Sequence, residues 1–279
     1  MWQTELCIAD RPDKRHDDFM KWLIPLIVCG HTLATPLEYA CRFSDSEPVI
    51  DGDLTDKAWE KAAWTSDFTD IRGKGQPEPR FRTRVKMLWT VTGLHVAAEL
   101  QEPHVWGTLT KKNSIIFHDN DFEIFLDPDG DTHNYHEFEI NALGTIWELT
   151  LDKPYSKGGK AMHGTNLPGL KSAVKVHGSL NDPSDTDKAW TLEVLLPWQD
   201  LTRYQGRMKS PPAAGDVWRI NFSRVQWRHE LQEGRYVRVP KHGTHIPPEQ
   251  HPEDNWVWSP QGEINMHVPE RWGRLRFLE

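Results

Sequence analysis

The sequence of 279 residues predicts an all-β fold, namely an antiparallel, jelly-roll-like β-sandwich with one short N-terminal helix and long loops. Short runs of alternating apolar and polar residues recur along the chain, as in strands that bury one face. Turn-forming residues separate these runs, and the chain contains 20 prolines and 19 glycines. Many short strands with few helical segments favour a sandwich over other fold classes.

The predicted elements begin with a strand that ends at Val49-Ile50 and a turn at Asp51-Gly52-Asp53. The helix is predicted over residues 54–63, because Thr55 can cap it and its alanines and Trp59 share one face. Strands are then predicted at 82–89, 94–101, 121–127, 136–142, 145–151, 171–177, 189–196, 217–227 and 274–278, with long loops at 153–170, 203–216 and 240–270.

Residues 1–38 form an N-terminal extension, and residues 39–279 are predicted to form a single domain. Met20-Lys21 precedes an apolar run at 22–28 and a cleavage-type alanine at Ala34, so 20–34 has the pattern of a short signal peptide. We expect an exported protein, periplasmic or extracellular, if translation starts at Met20. We expect a cytoplasmic protein otherwise.

The composition excludes several classes of partner. The net charge is −8 and no stripe of Lys or Arg occurs, which argues against nucleic acid and anionic membrane surfaces. No apolar run is long enough to predict a membrane span. All three cysteines lie in the first 41 residues, so no disulfide is expected in the rest of the chain. We expect a monomer without an organic cofactor.

A face of carboxylates is predicted on two neighbouring strands. Alternation along residues 121–127 and 135–141 places Asp121 and Glu123 on one side, and Glu139 and Asn141 on the same side of the next strand. An antiparallel hairpin would bring Glu123 near Glu139, and opposed like charges destabilise a ladder. The face is therefore either solvated or a site for a polyol, whose hydroxyls would donate to the carboxylates. Asn141, and Arg224 or Arg228 on a late strand, are candidate complements.

Two other kinds of site are predicted from spacing. Asp127, Asp129 and Asp131 alternate along a loop, which suits Ca²⁺, although a plain Asp/Gly hairpin turn explains the same residues. A haem site would need one of Met87, Met162 or Met266 with a histidine, and no C-x-x-C-H attachment motif is present.

Paired carboxylates also suggest glycoside hydrolysis, with one acid and one base or nucleophile. Adjacent positions on one flat sheet rarely flank a bond, and the chain contains no G-x-S-x-G, H-E-x-x-H or phosphate-binding motif. Non-catalytic binding is therefore the first hypothesis. A glycoside hydrolase, or a subunit associated with one, is the alternative.

Several sequence blocks together resemble the family 9 carbohydrate-binding modules. They are VIDGDLTDKAW at 49–59, VKMLWTVTGLHV at 85–96, NDFEIFLDPDG at 120–130, WTLEVLLPW at 190–198 and WGRLRF at 272–277. The long form of the chain looks like the stand-alone branch called "carbohydrate-binding family 9-like". The resemblance implies a β-sandwich with bound Ca²⁺ and a glycan site of the kind found with xylanases, so xylan or glucan is the expected ligand.

The resemblance also assigns site residues. Glu123 stands where the modules have a glutamate that contacts sugar, and Glu139 stands where they have an arginine. The two tryptophans that clamp the sugar are replaced by Phe117 and by a residue near Met266 or His267. Four tryptophans of other segments could supply stacking instead, and a place in the core explains each of them equally well: Trp106, Trp147, Trp256 and Trp258.

Overall fold

The computed structural model describes residues 36–201, 211–241 and 251–279. The chain divides into a unit of residues Met1–Leu33 and a unit of residues Ala34–Glu279, and all described residues belong to the second unit. The predicted signal peptide at 20–34 lies outside them. No helix among the described residues is long and apolar enough to cross a membrane.

Fifteen strands occur in the described part of the chain. They are β1 (Glu38–Phe43), β2 (Thr69–Asp70), β3 (Thr83–Trp89), β4 (Gly93–Gln101), β5 (Asp121–Asp127), β6 (Tyr135–Asn141), β7 (Ile146–Leu151), β8 (Ala161–His163), β9 (Lys171–His177), β10 (Ala189–Pro197), β11 (Val217–Gln226), β12 (Arg228–Gln232), β13 (Arg235–Val239), β14 (Asp254–Val257) and β15 (Gly273–Leu278). Helical segments are the α-helical turn α1 (Trp198–Leu201) and the 3₁₀ turns Lys57–Lys61, Ile116–His118, Tyr155–Lys157 and Pro269–Arg271.

Thirteen of these strands form one large sheet in the order β8-β7-β6-β5-β11-β15-β1-β3-β4-β10-β9, with β14 on β11 and β2 on β14. The sheet is mixed, which corrects the antiparallel prediction, because β1 runs parallel to both β15 and β3. Hairpin connections enforce antiparallel neighbours, but β1 pairs with the last strand of the chain, where no short connection sets the direction.

The predicted helix at 54–63 is wrong, since only Lys57–Lys61 is helical and it is a 3₁₀ turn. This short segment is fixed by tertiary contacts. The indole Nε1 of Trp59 donates to Glu193 Oε1 at 2.6 Å, and Glu193 Oε2 accepts from the backbone N–H of Gly52 at 2.8 Å. An isolated helix of this length is unstable, because its few hydrogen bonds do not offset the free-energy cost of nucleation.

The main apolar core contains side chains from strands at both ends of the strand order. The sheet therefore curls so that one part of it packs against another. This core contains alternate apolar residues of β5 and β6, on the face opposite the acidic side chains: Phe122, Ile124, Leu126, Phe138 and Ile140. A second apolar cluster covers the other face of β5, β6 and β7, and it includes Phe125, Trp147, Leu149, Met266 and Trp272. Both faces of these central strands are therefore buried, including the face that carries the acidic residues.

Candidate functional site

A cavity of about 310 Å³ opens on the face of β5, β6 and β7 that points away from the main core. Strand residues form its floor, and segments before β5, after β7 and around β14 complete it. The lining residues are Ile71, Phe117, Glu123, Phe125, Glu137, Glu139, Trp147, Leu149, Tyr155, Val225, His251, Glu253, Asn255, Ile264, Asn265, Met266 and His267.

One cross-strand row runs through the floor of this pocket. Glu123 on β5 lies opposite Ser223 on β11 and opposite Glu139 on β6. Glu139 in turn lies opposite Trp147 on β7. The predicted proximity of Glu123 to Glu139 is therefore confirmed, as is the pairing of Asp121 with Asn141 in the next row.

The acidic face is buried, which removes the alternative of a simply solvated strand surface. Asp121, Glu123 and Glu139 are 0%, 5% and 2% exposed. One carboxylate oxygen from each lies within 4.8 Å of the others. Burial raises the pKa of Glu123 to about 7. Burial, and secondly the neighbouring carboxylates, raise the pKa of Asp121 and Glu139 well above the usual range.

Aromatic rings stand beside these carboxylates. Phe117 is 37% exposed, which makes its ring available to a ligand, and its backbone N–H donates to Glu139 Oε2 at 3.0 Å. Its ring centroid lies 6.3 Å from that of Trp147, which stacks on His163 with an interplanar angle of 8°. Both clamp positions that the resemblance assigned, Phe117 and the Met266–His267 pair, line this one cavity.

Histidine and amide side chains supply the other polar groups of the pocket. Nδ1 of His267 lies 3.0 Å from the Tyr135 hydroxyl, and its Nε2 lies 4.0 Å from Glu137 Oε2. Burial lowers the pKa of His267 to about 4, so the ring is neutral at pH 7. His251 and Asn255 also line the pocket, and Asn255 on β14 was missed as a ligand candidate. The alternation that places Asn255 on the pocket face is visible only once the β14–β11 register is known.

Three of the predicted ligand residues lie elsewhere, and the reason is strand parity. Arg224 follows Ser223 on β11, so its side chain lies on the opposite face and forms an ion pair with Glu102 at 2.9 Å. Trp256 pairs with Arg224 and belongs to the main core. Trp258 also belongs to that core, where its ring packs over Gly273.

Asn141 and Trp106 have structural contacts rather than a place in the pocket. The Asn141 amide donates to Asp119 Oδ2 at 2.9 Å, and its oxygen accepts from the backbone N–H groups of Leu143 and Thr145. It therefore shapes the β6–β7 turn. Trp106 stacks on Tyr236 in a separate cluster with Val225 and Trp227.

The loop after β5 brings together the three aspartates predicted to bind Ca²⁺. One oxygen from each of Asp127, Asp129 and Asp131 lies within 4.8 Å of the others. The same carboxylates also accept backbone hydrogen bonds within the loop; Asp127, for example, accepts from the N–H groups of Gly130 and Thr132. The donor set suits a hard cation, and it also explains the turn without one.

The methionines considered for haem lie in three different surroundings. Met87 is inside the main core, Met162 is exposed on β8, and Met266 lines the pocket.

Fold and site together define a mostly-β protein with one large curled sheet, and the pocket on one face of that sheet combines an exposed aromatic ring with buried carboxyl groups. The chain belongs to the family described as "carbohydrate family 9 binding domain-like", whose family model matches residues 50–208. A comparison with curated proteins finds no significant match.

Solved structures share this fold at low sequence identity. One is a Bacteroides uniformis protein to which carbohydrate binding has been ascribed, with 14% identity, a TM-score of 0.61, and coverage of 87% of this chain and 100% of that one. Another is a family 9 carbohydrate-binding module from Caldicellulosiruptor kristjanssonii in complex with cellotriose, with 15% identity, a TM-score of 0.52, and coverage of 86% and 93%. The same kind of module from that organism in complex with glucose has 14% identity, a TM-score of 0.50, and coverage of 87% and 95%.

Proposed function

We propose that this protein binds a plant-type polysaccharide, xylan or glucan, without cleaving it, and that it serves the breakdown of that polysaccharide. The observation that carries the proposal is the position of the Glu123 carboxyl group in the floor of a pocket that also exposes the ring of Phe117.

This combination suits the two surfaces of a sugar ring. The apolar C–H face of a pyranose packs well on an aromatic ring, which Phe117 and Trp147 provide. Its hydroxyl groups donate hydrogen bonds, and an ionised carboxylate is an acceptor only. Hydrogen bonds to a charged acceptor are also the stronger kind.

The size of the pocket and the fold relatives support the same class of ligand. A cavity of about 310 Å³ lies at the lower end of the range for small-ligand sites, about 300–1,000 Å³, which favours a short stretch or an end of a glycan chain. Structures of the related modules contain cellotriose and glucose.

The position of the carboxylates argues for binding over hydrolysis. Glycosidases place an acid and a nucleophile or base on either side of the scissile bond. Glu123 and Glu139 are direct cross-strand neighbours on one face of one sheet, so both would contact a ligand from the same side.

Isothermal titration of the full chain with xylotriose and cellotriose tests the proposal, together with chromatography of the sugars after incubation. We expect measurable affinity for at least one trisaccharide and no shorter product. Glu123→Gln should weaken the affinity about tenfold or more, because a hydrogen bond to a charged group contributes about 1.5–3 kcal/mol. Glu230→Gln, on the exposed strand β12, is the matched control and should bind like the wild type. Equal affinity of Glu123→Gln and wild type would refute the role of this pocket, and released shorter sugars would favour the hydrolase.

Two further parts of the proposal concern the cell and the metal. Export would follow from cleavage after Ala34, and N-terminal sequencing of the protein from its native host should then find Thr35 first; a mature chain that begins before residue 30 would refute it.

A structural Ca²⁺ at Asp127, Asp129 and Asp131 would add to the stability of the β5–β6 loop. Asp129→Asn should then reduce the rise in thermal midpoint that Ca²⁺ causes, and an unchanged rise would count against this ion.

A further inference from the structure

Three buried carboxyl groups lie together at the floor of the pocket, and no described cationic side chain of the pocket lining pairs with them. Oxygens of Asp121, Glu123 and Glu139 lie within 4.8 Å of one another, and the pocket lining given by the described residues contains no Lys or Arg. Arg224, the arginine on the neighbouring strand, is held by Glu102 on the opposite face. Burial and the neighbouring carboxylates raise the pKa of Asp121 and Glu139, so the ionised forms are costly in the empty site and a bound cation would stabilise them.

Two buried polar atoms beside this cluster lack a partner. Oδ2 of Asp121 has no hydrogen bond in the structure, although the residue is fully buried. The hydroxyl group of Ser223, also fully buried, is near enough to Glu123 to lower the pKa of that carboxyl group, yet it makes no hydrogen bond of normal geometry. Buried polar groups without partners are rare in proteins. Asp121 belongs to the acidic cluster and Ser223 lies opposite Glu123 of that cluster, which indicates a missing ligand there.

The spacing of the oxygens suits calcium. Ca²⁺ binds oxygen at about 2.3–2.6 Å, so two of its ligands can be separated by at most about 4.6–5.2 Å. The three carboxylate oxygens fall within that limit. Ca²⁺ takes about six to eight oxygens, so three carboxylates would leave positions free on the side that opens into the cavity. Vicinal hydroxyl groups of a sugar are oxygen ligands that could fill them.

We propose that Glu123 and Glu139 in the floor of the pocket, together with Asp121 beside that floor, form a Ca²⁺ site, and that a bound sugar completes the coordination of this ion with two neighbouring hydroxyl groups. The ion site stands on the geometry alone, whereas the contact with sugar rests on the function proposed above.

The first test titrates Ca²⁺ alone into the full chain after removal of metals with EDTA. Asp121→Asn and Glu139→Gln should each lose one binding event of the wild type, or weaken it by about 10- to 100-fold, as expected when a metal site is damaged. Any Ca²⁺ bound by the loop at Asp127, Asp129 and Asp131 should persist in both variants. Glu230→Gln controls for the change in net charge and should match the wild type. Superimposable isotherms of the wild type and both variants would overturn the site.

The second test repeats the xylotriose and cellotriose titrations with EDTA and with Ca²⁺ restored. Sugar affinity of the wild type should fall at least about tenfold in EDTA and recover with Ca²⁺, as for any ligand held through an ion. Affinity that is equal in EDTA and in Ca²⁺ would overturn the sugar–ion contact while leaving the function intact. Ca²⁺ binding that depends on Asp121, with no sugar bound in either condition, would support the ion site and refute the proposed function.

Discussion

Two buried clusters of ionisable side chains lie on opposite faces of the sheet around β5 and β11. One contains a cationic side chain, and the other does not. On the core face, Glu102 is paired with Arg224 at 2.9 Å, and the guanidinium group also donates to Thr83 and Gln226. On the pocket face, Glu123 and Glu139 face each other with no cationic side chain in the described lining. The first cluster is complete within the protein, and the second needs something from outside.

The difference separates a structural role from a binding role. A buried ion pair whose donors are all used is already saturated, so it contributes to the folded state and offers nothing to a ligand. Buried carboxyl groups without a cationic partner are costly to ionise in the empty protein, and a ligand that donates hydrogen bonds or positive charge stabilises their ionised form on binding. A buried acidic side chain therefore indicates a binding site only where the protein itself supplies no cationic partner for it.

The largest expected effect concerns the complete cluster. Arg224→Met should lower the free energy of unfolding by about 3–5 kcal/mol, because it leaves Glu102 buried and unpaired. Urea unfolding measures this loss. The double variant Arg224→Met/Glu102→Gln should recover part of it, and the sugar affinity of the folded variant should stay that of the wild type. A loss below about 1 kcal/mol would contradict the importance of this pair.

A buried histidine gives a smaller effect that depends on pH. Burial lowers the pKa of His95 from 6.5 to about 4 in the folded protein. The unfolded chain therefore binds more protons between these values, so stability should fall as pH drops from 6.5, by about 2 kcal/mol on reaching pH 5. Urea midpoints of His95→Gln should show a shallower decline with falling pH than those of the wild type. The exposed His133 provides the control variant His133→Gln, and equal slopes for wild type and His95→Gln would refute the assignment.

The smallest effect should have the opposite sign. In the presence of EDTA at pH 7, Glu139→Gln should raise the stability by roughly 1 kcal/mol, because burial raises the pKa of Glu139 and the folded protein must then take up a proton that glutamine does not need. Thermal and urea unfolding of the variant and of Glu230→Gln measure this difference. The same substitution should weaken sugar binding. A loss of stability together with wild-type affinity would instead assign Glu139 a structural role and refute the binding role of its cluster.

The sequence was sufficient to predict what depends on local alternation. Glu123 and Glu139 were correctly placed together because each strand alternates with a period of two and a short loop joins the two strands. Arg224 was misplaced because its face depends on the register between β11 and β5, which are far apart in the chain. The parallel pairing of β1 with β15 is a long-range contact of the same kind, and no local pattern predicts it.

The walls of the pocket were harder to predict than its floor. Met266 and His267 were reached only through the family resemblance, because irregular segments have no periodicity that assigns a side chain to one face. Trp256 and Trp258 were chosen because tryptophan suits sugar rings, but a large apolar side chain fills a core equally well, and burial decides between the two roles.

The most direct test of the central claim is a crystal structure of the full chain with the trisaccharide, xylotriose or cellotriose, that binds more tightly. We predict a sugar ring in contact with Phe117 and with Met266 or His267, its hydroxyl groups directed to Glu123 and Glu139 or to an ion held between them. A sugar bound at another surface, such as the cleft beside Trp256, with the acidic pocket left empty, would contradict the account.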